Sequence, residues 1–266
     1  MILFTDLDGT LLDDKKVLTP GNRQAIEEAL QAGHKIVITT GRPLASGKIL
    51  ARELGLDKEG CYVIAFNGGE IYDMYHQESI FRQTLSIPDV VWVFREARKR
   101  GLHCQTYDSI GILSESDNPC LRYYKANTNI PAKVVPDIAE ALQEDPVKLI
   151  VIDTDHEKLL AFREETAAWA EGKMDRIFST PQYLEHVAPG ISKGGAIRML
   201  CEKLQIPLSQ TIAAGDAEND LSMIETAAVG AVMCNAEERI RARGTYITKH
   251  DNNHDGVAEI IRTFML

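Results

Sequence analysis

Short β-branched runs alternating with amphipathic helical stretches constrain this chain more than any other feature. Residues 2–7 form an apolar run that stops at acidic residues and Gly9, as a buried strand feeding a loop does. Thr19 and Pro20 then supply an N-cap and a first-turn proline. Ala25, Ile26, Ala29 and Leu30 share one helical face, and Gly33 ends the segment. A β-branched run over residues 35–39 completes strand, helix, strand at the spacing of a βαβ unit, which implies a parallel, doubly wound sheet. A helix over 44–54 and a strand over 62–66 continue the alternation.

The rhythm breaks at Asn67-Gly68-Gly69, turn chemistry that makes 67–84 read as a hairpin. Residues 88–100 are helical in pattern up to Gly101, and 103–107 and 111–114 read as strands around Asp108-Ser109. A helix is expected over 138–142 and a strand over 147–153, while Leu159, Phe162, Thr166, Trp169 and Ala170 fit one helical face. Strands at 175–179 and 183–187 follow. The α/β alternation returns with a helix over 192–204, a strand over 211–215, a helix over 219–227, a strand over 230–233 and a helix over 256–264. The expected fold is therefore α/β. Residues 1–84 and 184–266 form a doubly wound, Rossmann-like parallel-sheet core, and residues 85–183 are inserted in it as an α+β domain.

The 266 residues suit two compact domains, and 44% hydrophobic with 26% charged residues is the balance of a globular chain. Twenty-nine Lys and Arg against 39 Asp and Glu leave a formal −10, with a pI near 5.2. That charge argues against nucleic acid or an anionic membrane as partner, though not against a local cationic pocket. No apolar run approaches the roughly 18 residues that span a bilayer. The N-terminus shows no basic segment followed by an apolar one, so a cytoplasmic protein is expected, as a monomer or weak homo-oligomer. Five scattered cysteines without a CxxC pair read as free thiols, and seven histidines without an HxH or HExxH spacing give no transition-metal site.

Four segments place polar residues where strands end or helices open. They are Asp6-Leu7-Asp8-Gly9-Thr10, Thr40-Gly41-Arg42, Ser192-Lys193-Gly194 and Gly215-Asp216-Ala217-Glu218-Asn219-Asp220. In an open parallel sheet such segments meet outside the carboxyl ends of the strands.

With DxDGT at 6–10, TGRP at 40–43, NGG at 67–69, GISKG at 190–194, GDxxND at 215–220 and DGV at 255–257, the chain resembles the haloacid dehalogenase superfamily. Within it, the Cof-type phosphatases with a large inserted α/β cap are the nearest match. The resemblance spans nearly the whole chain and implies Mg2+-dependent hydrolysis of small phosphomonoesters, such as sugar phosphates. Asp6 would be the nucleophile, because a carboxylate can form an acyl phosphate that divides one difficult displacement into two. Asp8, on the same side two residues on, suits a general acid and then a general base. Leu7, Thr40, Gly41, Arg42, Lys193 and Asn219 would bind phosphate, with Lys193 also bridging nucleophile and phosphoryl group. Asp6, Asp216 and the backbone carbonyl of Asp8 would hold Mg2+, an oxygen-only set. Thr10 and Asp220 would support them, Thr10 by bonding within its loop and Asp220 by orienting Lys193 or metal waters.

The inserted domain would act as a cap that sets specificity, with Trp92, Tyr107, Arg122, Tyr123 and Tyr124 as candidates to meet the substrate's organic part. Aromatic residues at helical spacing are more often core than ligand contacts. Two other readings use the same motifs: a hexose phosphomutase, which returns the phosphoryl group to the sugar, and a non-catalytic sensor of phosphorylated metabolites.

Overall fold

A computed structural model describes residues 1–128 and 130–266. The elements run β1 (Ile2–Thr5), α1 (Pro20–Gln31), β2 (Lys35–Thr39), α2 (Leu44–Glu53), β3 (Cys61–Ala65), β4 (Glu70–Asp73) and β5 (Glu78–Arg82). Next come α3 (Ile87–Lys99), β6 (His103–Tyr107), β7 (Ile112–Ser114), α4 (Pro119–Thr128), β8 (Ala132–Val134), α5 (Ile138–Ala141), β9 (Lys148–Ile152), α6 (His156–Glu165), α7 (Ala167–Ala170), β10 (Asp175–Thr180) and β11 (Tyr183–Val187). The chain closes with α8 (Lys193–Lys203), β12 (Thr211–Gly215), α9 (Leu221–Thr226), β13 (Val229–Val232), α10 (Glu238–Arg241), β14 (Tyr246–Ile247) and α11 (Gly256–Phe264). No helix among the described residues is long and apolar enough to cross a membrane.

Two compact units result, one of residues 1–81 and 192–266, the other of residues 82–191. The first carries a sheet in the order β14-β13-β12-β1-β2-β3-β4-β5. Strands β14 through β3 are parallel, and β4 turns back antiparallel on β3. Strand β1 is buried along its length because both faces are covered, which is why it reads as an unbroken apolar run. On one face Ile2, Phe4, Val37, Ile64 and Ala213 pack with Ile197 and Leu200 of α8 and Met223 of α9. Strand β1 lies between β2, its successor in the chain, and β12, which comes more than 200 residues later. The strand order therefore switches direction at β1, and ligand crevices open at such a point, beyond the carboxyl ends.

The second unit is an α+β domain on a six-stranded sheet in the order β10-β11-β9-β6-β7-β8. Its core joins Val90, Val93 and Phe94 of α3 and Leu159 and Phe162 of α6 to Leu149, Val151 and Leu184 of the sheet. The boundaries differ from the expected 84/85 and 183/184. Residues 183–187 pair antiparallel with β9 and with β10, so this strand completes the second sheet and the return to the first unit comes at Ser192. The single helix expected across Leu159 to Ala170 is two. Thr166 bonds the Phe162 carbonyl through Oγ1 at 2.6 Å and accepts Arg176 Nη1 at 2.9 Å, and the helix breaks there.

Candidate active site

The backbone of Asp6 continues β1, donating its N–H to the Ala214 carbonyl of β12 at 2.9 Å. This fixes the carboxylate at the sheet's carboxyl edge, buried. The loop after β2 is latched to the one after β3 by three backbone bonds. Thr40 donates to Ile64, Asn67 to Thr40 and Phe66 to Arg42, at 2.8, 3.0 and 3.1 Å. Asn219 Nδ2 donates to Asn67 Oδ1 at 3.2 Å, so the last phosphate candidate is tied to the same pair of loops. Asn67 had a sequence signal in the NGG turn but no expected role.

Ser192 caps α8 by accepting the Gly195 N–H at 3.0 Å, which puts Lys193 in the first turn. A cation there opposes the positive end of the helix dipole. Full burial of the side chain adds a desolvation cost, so the position is not explained by helix stability. Two carboxylates explain it: Nζ lies 2.5 Å from Asp6 Oδ1 and 2.6 Å from Asp220 Oδ1. Burial works against the ammonium, but the charges of Asp220 and Asp6 outweigh it and raise its pKa.

Asp220 uses its other oxygen to accept the N–H groups of Asp216 and Ala217, both at 3.0 Å. Asp216 accepts the Thr10 hydroxyl at 2.6 Å. A Cβ on Gly9, whose φ is +83°, would stand 2.5 Å from Asp216 Oδ2, so a larger residue would push this carboxylate out of place. Oxygens of Asp6, Asp216 and Asp220 all lie within 4.8 Å of one another. Three carboxylates thus face one ammonium in a buried space. Burial, reinforced by Asp220 and Asp216 and opposed by Lys193, pushes Asp6 up to about 8. Burial and Asp220 push Asp216 up to about 6, against the Thr10 hydrogen bond. Oxygen-only donors with surplus negative charge fit a hard divalent cation. Since both Asp220 oxygens are already engaged, Asp6 and Asp216 are the side chains left to hold one.

Asp8 stands apart from this cluster. Arg42 grips it in a fork, Nε to Oδ2 at 2.7 Å and Nη2 to Oδ1 at 2.6 Å. Lys16 Nζ adds a contact to Oδ1 at 2.8 Å. Burial would raise the Asp8 pKa, yet hydrogen bonding and charge from Arg42, then Lys16, hold it below the ordinary carboxylate value. Arg42, expected on phosphate, is on Asp8 in this arrangement. Lys16 was not among the sequence candidates, because a lysine in a polar turn carries no pattern of its own.

In the second unit Trp92 stacks on Trp169 with ring centroids 3.5 Å apart, and the Tyr107 hydroxyl donates to that of Tyr124 at 2.6 Å with both rings buried. These contacts supply core packing. Arg122 and Tyr123 are exposed, Arg122 pairing with Asp117 at 3.4 Å.

The family model of haloacid dehalogenase-like hydrolases matches residues 3–261. A protein of Streptococcus pyogenes serotype M6, whose name assigns it provisionally to the phosphatases, is 34% identical over 266 residues, covering 100% of this chain and 98% of its own. A 5-amino-6-(5-phospho-D-ribitylamino)uracil phosphatase of Bacillus subtilis is 31% identical over 275 residues, covering 100% and 96%. The crystal structure of a haloacid dehalogenase-like hydrolase from Bacteroides thetaiotaomicron is similar with a TM-score of 0.93 at 31% identity, covering 98% of each chain.

Proposed function

Because this chain belongs to the haloacid dehalogenase-like hydrolases and is a phosphatase of the Cof type, we propose that it hydrolyses small phosphomonoesters, sugar phosphates among them, through an aspartyl phosphate on Asp6. The observation that carries this reading is the buried Lys193 ammonium held between Asp6 and Asp220. It supplies fixed positive charge at the carboxylate that must approach an anionic phosphorus.

In the first step an Asp6 oxygen bonds to phosphorus as the ester P–O bond breaks, and the leaving oxygen takes a proton from Asp8. In the second, Asp8 accepts a proton from water as that water attacks phosphorus, freeing Asp6 and inorganic phosphate. The Arg42 and Lys16 contacts keep Asp8 ionised, which suits the second step. Its acid role requires Asp8 to leave that pairing and take up a proton. Lys193, the Thr40 hydroxyl, the Gly41 N–H and Asn219 would hold the phosphoryl oxygens. Asp6, Asp216 and the Asp8 carbonyl would hold Mg2+, whose charge when bound offsets that of nucleophile and phosphate. The second unit would serve as the cap that selects the organic part.

The protein would work in the cytoplasm on small metabolites, as a monomer or weak homo-oligomer. Its five cysteines are free, which supports a reducing compartment. Related phosphatases act on 5-amino-6-(5-phospho-D-ribitylamino)uracil and on pyridoxal phosphate, so the test is a panel holding these two compounds and hexose phosphates. Mg2+-dependent release of inorganic phosphate is the expected result. Isomerised hexose phosphate without release would establish a mutase instead, and binding without either product a sensor.

The metal claim has a separate readout. Asp6 and Asp216 have pKa values raised from 3.8 to about 8 and about 6, so in the metal-free protein both favour the folded state at low pH. Their contribution is fully present below about pH 4 and is lost as pH rises through 6 and 8. Mg2+ must displace those protons, so its stabilising effect should grow with pH. We expect 5 mM Mg2+ to raise Tm by about 5 °C at pH 8 and by less than about 2 °C at pH 5.5. A shift independent of pH would remove these two carboxylates as ligands.

A further inference from the structure

We propose that Asn252 and Asn22 are positioning residues for the reaction, fixing the loop from which Asp8 works through the carbonyls of Leu12 and Leu11. The inference rests on the phosphatase reading above and gives the DGV segment at 255–257 a part in it.

In the proposed reaction Asp8 leaves Arg42 and Lys16 to exchange a proton with the leaving oxygen and then with water. At that moment no side-chain pairing holds it, so its place depends on its backbone. That backbone lies in the connection between β1 and α1, where Gly9 turns the chain at φ +83°. The carbonyl of the peptide joining Leu7 to Asp8 accepts the Leu12 N–H at 2.9 Å, and an isolated β-bridge pairs Asp8 with Leu12. Leu12 is therefore the support against which Asp8 is set. On the other side of Asp8 the Gly9 carbonyl accepts Asn235 Nδ2 at 2.9 Å, but that contact is open to solvent.

The support is itself gripped. The Leu12 carbonyl accepts Asn252 Nδ2 at 3.0 Å, from 240 positions along the chain, and the Leu11 carbonyl accepts Asn22 Nδ2 at 3.1 Å. Asn22 is 0% and Asn252 3% exposed, so water does not stand in for either donor. Asn252 Nδ2 also reaches Asp14 Oδ1 at 3.1 Å, while Asn253 Oδ1 accepts the Asp14 N–H at 3.1 Å. Each clamp residue is fixed from a second side. Asn22 Oδ1 accepts the Ala258 N–H of α11 at 2.8 Å, and the Asn22 N–H of α1 donates to Asp255 Oδ1 at 3.1 Å, so the two helix starts cap each other. The Thr19 hydroxyl donates to the same Asp255 oxygen at 2.5 Å. Asp255 holds this post at φ +64°, and a Cβ on Gly21 would collide with its carboxylate. Helix capping accounts for Asn22 Oδ1 and Asp255. It does not account for the two amide donors, which serve neither helix and go to the loop that begins at Asp8. Such a hold is what proton transfer by a freed side chain requires, since a displacement of about 1 Å at a reacting group can cost about 10²-fold in rate.

The test uses the full chain with saturating Mg2+ and p-nitrophenyl phosphate as substrate. Asn252→Asp and Asn22→Asp keep the size of each side chain and remove its donor, and Asn22→Asp retains the acceptor for Ala258. Tyr246→Phe is the control, because it deletes the 2.5 Å bond to Glu259 of the same helix α11 without touching the loop. All are assayed at one temperature about 20 °C below the lowest Tm. We expect each Asn variant to lose about 30-fold in kcat with KM changed by less than about threefold, since the groups on the phosphoryl oxygens lie outside the loop, and the control to stay within about twofold. Hydrogen exchange supplies a readout apart from activity. In the wild type the Leu12 N–H should be protected like the amides of β1, and both Asn variants should lose that protection while β1 keeps its own. An unchanged kcat, a loss equalled by Tyr246→Phe, or a KM that rises as far as kcat falls would overturn the inference and leave the phosphatase reading intact. So would a wild-type Leu12 N–H that exchanges as fast as the exposed turn at Lys15, a result that needs no variant to fold. Absence of any hydrolysis by the wild type would overturn that reading and the inference with it.

Discussion

Replacing Asp6 by Asn should lower kcat by at least about 10⁴-fold while leaving the fold in place. The amide has nearly the size of the carboxylic acid, but it is neutral and cannot form the acyl phosphate that splits hydrolysis into two steps. Its effect on stability should be small for a reason specific to this site. Burial, with Asp220 and Asp216 beside it, raises the pKa of Asp6 against the opposing pull of Lys193, so without metal the native carboxylate carries a cost for its charge that the amide does not. We expect the metal-free variant to melt within about 2 °C of the wild type, and Mg2+ to raise its Tm by less. Phosphate release and circular dichroism measure the two effects. Turnover within about tenfold of wild type would remove Asp6 as nucleophile.

The second large effect belongs to Lys193→Met, which keeps the length of the side chain and deletes its charge. Asp6 Oδ1 and Asp220 Oδ1 would lose the donor they share at 2.5 and 2.6 Å, and the fully buried Asp220 side chain has no solvent to replace it. Removing one partner of a buried ion pair costs about 3–5 kcal/mol, because the remaining charge has nowhere to go. Protonation offers an escape. Without the ammonium that opposes it, the raised pKa of Asp6 moves further upward, so the loss should be largest at pH 8 and should shrink toward pH 5 as the carboxylate takes a proton. Urea unfolding at the two pH values reads this directly, and kcat should fall by about 10²–10³-fold with the lost electrostatic support. A loss below about 1 kcal/mol at pH 8 would show that the cluster does not depend on this cation.

The parts of the fold visible in the sequence are those that local chemistry specifies. Buried parallel strands read as apolar runs, and Thr19-Pro20 announces α1 through an N-cap that does accept a backbone N–H, from Asn22. Motif residues ending β1, β2 and β12 had to meet once those strands became neighbours. The strand at Tyr183–Val187 shows the limit. Its β character was legible, but a strand's pattern does not name its partner, and pairing with Lys148–Ile152 placed it in the second unit. Helix α4 went unread although Leu121 and Tyr124 are buried on it, since two apolar positions in a polar stretch give too little periodicity. The break at Thr166 depended on Arg176, which arrives from another element.

From the sequence alone, Asp6, Asp8, Asp216 and Asp220 balance Arg42, Lys193 and one Mg2+ at a formal zero. The residue types and their order along the chain determined that much, because strand ends and helix starts are local features. Only the tertiary structure divided the group in two. An inner cluster around Lys193 is short of positive charge and fits a divalent cation. In an outer one Arg42 and Lys16 converge on Asp8 and hold it ionised. Which cation reaches which carboxylate depends on how the loops close over the sheet edge, and loop dihedrals leave no period in a sequence for a reader to find.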